Sequence, residues 1–145
     1  MKISVNAPCP CHSGKKYKKC CQPFHKGALP SDALALMRSR YSALALHLVE
    51  YIIATTHPDN TEHTKDIEEW KRSIAEFCEN VHFTGLKIIE FVDGAEEAFV
   101  TFRAILGDTQ FVEKSRFFKV DENGFMRVPS LSRKNSLYDA FILSL

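Results

Sequence analysis

The stretch EEAFVTFRAIL, Glu96–Leu106, has the clearest periodicity in this chain. Apolar residues occupy every second position from Ala98 to Leu106, which is the period of a β-strand with one buried face. Alternation this strict predicts that the strand covers a hydrophobic core on one side only. The stretch therefore predicts a sheet with a packed layer against that side.

Three further stretches share the period of two. GLKIIEFV precedes this strand, and TQFVEKSRFFKV and GFMRV follow it. The turn signals Asp93-Gly94, Gly107-Asp108 and Asn123-Gly124 separate the four stretches. Links this short join neighbouring antiparallel strands, so the sequence predicts a four-stranded meander.

The residues before the sheet have helical periodicity instead. A helix follows Ser31 or Asp32, either of which can cap it. Leu34, Met37, Tyr41, Leu44 and Leu48 form one apolar face of a single helix or of two consecutive helices. A second helix ends near Ala54, and a third has an apolar face of Ile67, Trp70, Ile74, Phe77 and Val81. Cys78, beside that face, is predicted to be a small buried residue. The order of elements predicts an α+β fold, a cone of three helices packed on a curved four-stranded antiparallel sheet.

Cysteine and positive charge are concentrated near the N-terminus. The stretch CPCHSGKKYKKCC, residues 9–21, contains four of the five cysteines. Residues 1–26 carry six lysines and no acidic residue, so the net charge of +1 conceals a basic segment on an acidic body. The sequence has no secretory signal and no apolar run of about 20 residues, which predicts a cytoplasmic protein without a transmembrane segment.

The spacing of the four cysteines is typical of a metal site. The two short pairs are Cys9 with Cys11 and Cys20 with Cys21. Pairs joined by a loop, here turning at Ser13 and Gly14, can place four sulfurs about 2.3 Å from a zinc ion. Adjacent cysteines could form only a strained disulfide, and an iron–sulfur cluster is the alternative metal centre. A closed structural zinc site is expected, because catalytic zinc keeps an open coordination position.

The lysines of this loop have a role beside that site. Four thiolates around Zn²⁺ carry a net charge of about −2, which the lysines partly neutralise while leaving a basic surface. The predicted partner-binding residues are Lys15, Lys16, Lys18 and Lys19. Apart from Tyr17 the loop lacks the interleaved aromatic residues of a nucleic-acid stacking platform, so specific DNA recognition is not expected.

The segment PCPCHSGKKYKKCC, residues 8–21, resembles the SEC-C motif, a zinc-binding segment of the SecA translocation ATPase and of many unrelated proteins. Every ligand position of the motif matches. The resemblance implies that the zinc ligands are Cys9, Cys11, Cys20 and Cys21. The position after the second cysteine is usually glycine in the motif and is His12 here, so His12 is an alternative ligand. His25, four residues beyond Cys21, is another.

A second resemblance covers most of residues 9–120. CCQPFHKGALPSDALALMRSRYSALAL, ATTHP and VEKSRF are similar to the uncharacterised bacterial YchJ family. In that family a SEC-C motif precedes a nuclear transport factor 2-like domain. The resemblance implies a zinc-binding motif in residues 1–26 and a nuclear transport factor 2-like α+β domain in residues 31–145. It weakens at the C-terminus, where this chain reads GFMRVPSLSRKNSLYDAFILSL and has no second cysteine cluster.

Folds of this kind often enclose a pocket, and several polar residues interrupt the apolar patterns. The candidate pocket residues are Arg38, Arg40, Tyr41, His57, Glu113, Ser115 and Arg116. In one interpretation Arg38 binds an anion while Glu113 or His57 acts as acid or base. In the other, an arginine and Glu113 form a structural ion pair. By alternation Arg116 should face the opposite side of its strand from Glu113 and Ser115.

The preferred hypothesis is a non-enzymatic zinc protein whose basic loop binds a protein or ribonucleoprotein with an acidic surface. Its SEC-C resemblance implies a chaperone, the ribosome or acidic lipid as candidate partners. The alternative is a small-ligand binder or enzyme that uses Arg38 and Glu113. Residues 130–145 are expected to form a short helix over the sheet or a dimer contact.

Overall fold

The computed structural model describes residues 2–56 and 66–119 and the backbone of residues 125–128. A 3-10 turn, Tyr17–Lys19, and the one-turn helix α1, Gln22–His25, follow the cysteine segment. Three longer helices come next: α2, Ala33–Ala45; α3, Val49–Ala54; and α4, Ile67–Asn80. The side chain of Asp32 caps α2 by accepting a hydrogen bond from the Ala35 amide at 2.8 Å, as its position before the helix predicts.

One antiparallel sheet contains β1, Phe83–Val92; β2, Glu97–Leu106; β3, Thr109–Lys119; and β4, Phe125–Val128, in that order. Val100 pairs with Phe91 on one side and with Ser115 on the other. The meander follows from the short links, because a chain that reverses within a few residues must pair with the strand it has just left.

The hydrophobic core lies between the helices and one face of the sheet. On β2, Ala98, Val100, Phe102 and Ala104 are fully buried, which confirms the face predicted from alternation. Trp70, Ile74 and Cys78 bury one face of α4 against this core. Cys78 is 3% exposed, and burial raises the pKa of its thiol to about 11. It is the small buried residue that the sequence predicts.

Helix α2 is buried on more than one side. Its buried residues include Ser39, Arg40 and Ser42 in addition to the predicted apolar positions. One side of α2 faces the sheet, where the Tyr41 hydroxyl donates to the carbonyl of Gly85 at 2.8 Å. Another side faces the cysteine segment, where Ser42 lies against His25. A helix covered on two sides needs more buried residues than a single apolar stripe provides.

The α+β class is confirmed, with two differences from the expected architecture. The described residues contain four α-helices, because α1 forms directly after the cysteines in addition to the three predicted ones. The sheet consists of three strands of 10, 10 and 11 residues and a fourth of only 4 residues. His57 and residues 130–145, including the expected C-terminal helix or dimer contact, lie outside the described residues.

Candidate metal centre

The cysteine segment folds into a narrow hairpin that brings its two cysteine pairs together. Pro8 and Lys16 form an antiparallel bridge, and the Cys9 amide donates to the carbonyl of Lys15 at 2.8 Å. The chain reverses between them through Gly14, whose φ is 88°, as predicted for a glycine at this turn. His12 also has a positive φ of 61°. This left-handed conformation gives a physical reason why glycine suits the position after the second cysteine.

The four sulfur atoms lie within 4.8 Å of one another. The Cys11 and Cys20 sulfurs are 3.5 Å apart, and the Cys20 and Cys21 sulfurs are 3.9 Å apart. Four sulfurs at about 2.3 Å from one tetrahedral ion would be about 3.8 Å apart, so the observed spacing fits such an ion. Cys9, Cys11 and Cys21 are buried and Cys20 is partly exposed. The cluster of four cysteines can hold a metal ion.

Hydrogen bonding among the closely spaced thiols shifts their pKa values in opposite directions. The Cys11 thiolate accepts hydrogen bonds from the thiols of Cys21 and Cys9, and this lowers the pKa of Cys11. Donating to Cys11 raises the pKa of Cys21 and raises the pKa of Cys9 to about 12. A metal ion must displace the thiol protons of the cluster, so acidification disfavours its binding.

Neither alternative histidine ligand lies in the cluster. His12 Nε2 is 3.4 Å from the carbonyl oxygen of Phe83, and its ring contacts Tyr41 edge to face. His25 Nε2 donates to the carbonyl of Ser39 at 2.8 Å, while Nδ1 and the Tyr17 hydroxyl are 2.7 Å apart. Burial lowers the pKa of His25, and the neutral ring can satisfy both contacts at once.

The cysteine cluster is attached to α2 by polar contacts. Arg38 Nη1 donates to the carbonyl oxygen of Cys11 at 3.1 Å and lies 3.8 Å from its sulfur. The His25 bond to Ser39 adds a second link, and the Tyr51 hydroxyl lies 2.7 Å from Ser39 Oγ. Leu46 is buried among the cysteines. The guanidinium brings positive charge to the cluster from a helix 27 residues away.

The basic loop surrounds this cluster on the outside. Lys15, Lys16, Lys18 and Lys19 extend from the segment that holds the cysteines, and all four are exposed. Tyr17, between them, is 8% exposed and packs against the cysteines instead. The lysines flank a buried anchor, so the loop presents its charge outward.

The other candidate pocket residues occupy several different environments. Arg40 is fully buried and donates to the carbonyl of Ile52 and to the hydroxyls of Thr55 and Thr56. The Tyr41 hydroxyl donates to the carbonyl of Gly85. Arg40 and Tyr41 therefore make hydrogen bonds within the fold itself.

The strand residues of the candidate pocket divide between the two faces of β3. Glu113 pairs with Phe102 and Ser115 with Val100, which places both on the core side. Ser115 Oγ is buried without a hydrogen-bond partner among the described residues. Arg116 lies on the other face, as alternation predicts, where it pairs with Glu97 and stacks over Phe118. Arg116 therefore does not share a site with Glu113.

Four residues that support the cluster were not identified from the sequence: Ser39, Ser42, Leu46 and Tyr51. Each lies in a helix or at its end and makes its contact across a long stretch of chain. The small polar residues within α2 were the available signal, because serines are uncommon on a helix face that packs against a core.

Family models divide the chain as its motifs do. Residues 6–23 match the SEC-C motif, and residues 32–126 match the middle NTF2-like domain of YchJ. A UPF0225 protein from Serratia proteamaculans is 38% identical over 126 residues, covering 81% of this chain and 79% of that protein. The chain belongs to the YchJ-like UPF0225 family. This confirms both resemblances noted in the sequence.

A further UPF0225 relative and two solved structures are also similar to this chain. A UPF0225 protein from Streptomyces coelicolor is 37% identical over 118 residues, covering 79% of this chain and 87% of that protein. The solution structure of a SEC-C motif containing protein from Rhodopseudomonas palustris is 27% identical with a TM-score of 0.71, covering 85% of this chain and 96% of that one. The crystal structure of a SEC-C motif containing protein from Psychrobacter arcticus shares the fold, at 24% identity and a TM-score of 0.75, covering 91% of this chain and 86% of that one. None of the described helices combines the length and apolar character that a membrane span requires.

Proposed function

We propose that this UPF0225 protein is a non-enzymatic, cytoplasmic zinc protein whose basic loop binds an acidic surface on a protein or ribonucleoprotein. Zinc is favoured because four cysteine thiolates at tetrahedral spacing suit a soft-ligand structural site. Three of the four sulfurs belong to buried residues, which favours a closed site over one that binds substrate.

The observation that carries the binding proposal is the outward position of the loop lysines around that cluster. A structural metal site of about −2 needs only local compensation, to which the Arg38 guanidinium already contributes. Six lysines without an acidic neighbour in residues 1–26 exceed that need. A surface with excess positive charge attracts polyanions and loses affinity as salt rises.

Reversing two lysine charges tests the proposal. The double variant Lys15→Glu with Lys18→Glu is expected to retain its metal and to bind ribosomes and polyglutamate at least about tenfold more weakly. For ribosomes, the slope of log affinity against log salt should fall by roughly one for each phosphate that the variant no longer neutralises. Co-sedimentation and fluorescence anisotropy over a salt series measure both quantities.

The matched control places the same charge change elsewhere. Arg72 on α4 and Lys87 on β1 are exposed and distant in sequence from the loop. Arg72→Glu with Lys87→Glu should leave both affinities near the parent value. If the two double variants weakened binding equally, net charge rather than the basic loop would explain the result. If the parent bound neither ribosomes nor polyglutamate at low salt, the proposal would be wrong. Binding to phosphatidylserine vesicles alone would assign the loop to a lipid surface instead.

Metal removal tests the proposed division into residues 1–26 and 31–145. Because the NTF2-like domain has its own core, chelation should release residues 2–26 while the sheet and α4 keep their amide protection. Arg38 and Ser39 would then no longer be bonded to the cysteine segment, so the melting temperature should fall by a few degrees. Hydrogen exchange before and after chelation measures this, and a collapse of protection throughout the sheet would show one inseparable unit.

A further inference from the structure

A groove of about 410 Å³ lies between the cysteine segment and the first half of α2. The cysteine segment contributes Lys15, Lys19, Cys20 and Phe24 to its lining. The helix side contributes Leu34, Ala35 and Arg38. The groove thus joins the basic loop to the NTF2-like domain and includes the least buried of the four cysteines.

The lining combines positive charge with an apolar surface. The lining contains three cationic side chains, Lys15, Lys19 and Arg38, and one carboxylate, that of Asp32, beside Cys20 and Cys21 of the metal cluster. The Asp32 carboxylate is already engaged by the Ala35 amide as the cap of α2. Phe24 and Leu34 are both partly exposed, so each leaves apolar surface for a ligand to cover.

We infer that this groove binds a short acidic peptide segment of a partner protein, with an apolar side chain between its carboxylates. This inference rests on the proposed function and adds a binding site and a ligand chemistry to it. Carboxylates of the segment pair with Lys15, Lys19 and the guanidinium of Arg38, which has N–H donors beyond the Nη1 group that bonds Cys11. The apolar side chain covers Phe24 and Leu34. A polyphosphate chain matches the charges but leaves that apolar surface in water, so the lining favours a peptide.

The groove requires the metal site as well as the helix. Its two walls are held together by the bonds from Arg38 to Cys11 and from His25 to Ser39. Loss of the metal frees the wall that carries Lys15, Lys19 and Phe24. Peptide binding is therefore expected to disappear on chelation, whereas unspecific attraction of polyanions to six lysines persists in a disordered segment.

The first experiment compares two peptides on the metal-loaded full chain. The probe EELFEELF and the control EESSEESS have equal charge and differ only in their apolar residues. We expect EELFEELF to bind at least about tenfold more tightly, because it buries a leucine or phenylalanine side chain. Equal affinities would overturn the proposal that the groove binds the peptide and would leave the function proposed for the basic loop standing. If neither peptide nor polyglutamate bound at low salt, the proposed function would be wrong as well.

The second experiment uses charge reversals within the same loop. Lys15 and Lys19 line the groove, whereas Lys16 and Lys18 belong to the same loop but lie outside its lining. Lys15→Glu with Lys19→Glu should therefore weaken EELFEELF binding at least about tenfold more than Lys16→Glu with Lys18→Glu, although net charge changes equally. Equal weakening by the two variants would overturn the groove.

A third variant removes the apolar surface of the helix wall. Leu34→Ser should abolish the preference for EELFEELF over EESSEESS while metal content is retained. If this variant does not fold, amide chemical-shift changes in the parent on addition of EELFEELF provide the test. Changes at Lys19, Phe24 and Ala35 would support binding in the groove, and changes confined to other residues would overturn it.

Discussion

Replacing Cys11 with serine is expected to abolish high-affinity metal binding. Cys11 is fully buried, it is one of four cysteines whose sulfurs lie within 4.8 Å of one another, and its sulfur lies 3.5 Å from that of Cys20. A serine hydroxyl is a poor zinc ligand and cannot be deprotonated at neutral pH, so one corner of the tetrahedral site would be missing. Elemental analysis should find close to one zinc per parent chain and almost none in Cys11→Ser.

The fifth cysteine provides a matched control for this result. Cys78 is buried in the core of the NTF2-like domain, apart from the cysteine cluster. Cys78→Ala should keep the parent metal content. If Cys11→Ser retained its zinc, or if the parent with reduced thiols bound iron rather than zinc, the proposed zinc site would be wrong.

Replacing Arg40 with methionine is expected to lower the free energy of unfolding by about 3 kcal/mol. The guanidinium is fully buried and donates to the Thr55 hydroxyl at 2.7 Å, the Thr56 hydroxyl at 3.1 Å and the Ile52 carbonyl at 3.2 Å. Methionine fills much of the volume but leaves these acceptors without their charged donor. Since all three lie at the C-terminal end of α3, the variant also removes a cation from the negative end of that helix.

Urea denaturation of the variant measures this destabilisation. Arg38→Met is the comparison, because Arg38 is only partly buried and its hydrogen bond to Cys11 joins it to the cysteine segment rather than to α3. We expect Arg38→Met to lower the free energy of unfolding by about 1 kcal/mol. Most of the loss of amide protection against hydrogen exchange should fall on residues 2–26. Full stability of Arg40→Met would contradict this prediction and show that the hydrogen bonds of Arg40 add nothing to the stability of the fold.

Local patterns in the sequence determined most of the secondary structure and the metal cluster. The alternation in β2 depends only on the period of a strand, and the short turns leave an antiparallel meander as the simple topology. The four cysteines lie within thirteen residues, so their approach to one another depends on a local hairpin rather than on the rest of the fold. The capping role of Asp32 and the turn at Gly14 are local in the same way.

Only the tertiary structure decided what the polar residues of α2 contact. Arg38 and Arg40 are two positions apart, and the sequence suggested a shared pocket for them. In the fold, Arg38 bonds the cysteine segment and Arg40 bonds the end of α3. Residues two apart on a helix point about 200° around its axis from each other, so the surroundings of each depend on which elements cover those sides. No local pattern encodes that the cysteine segment packs against α2, because that packing forms between surfaces separated by a turn-rich linker in the chain.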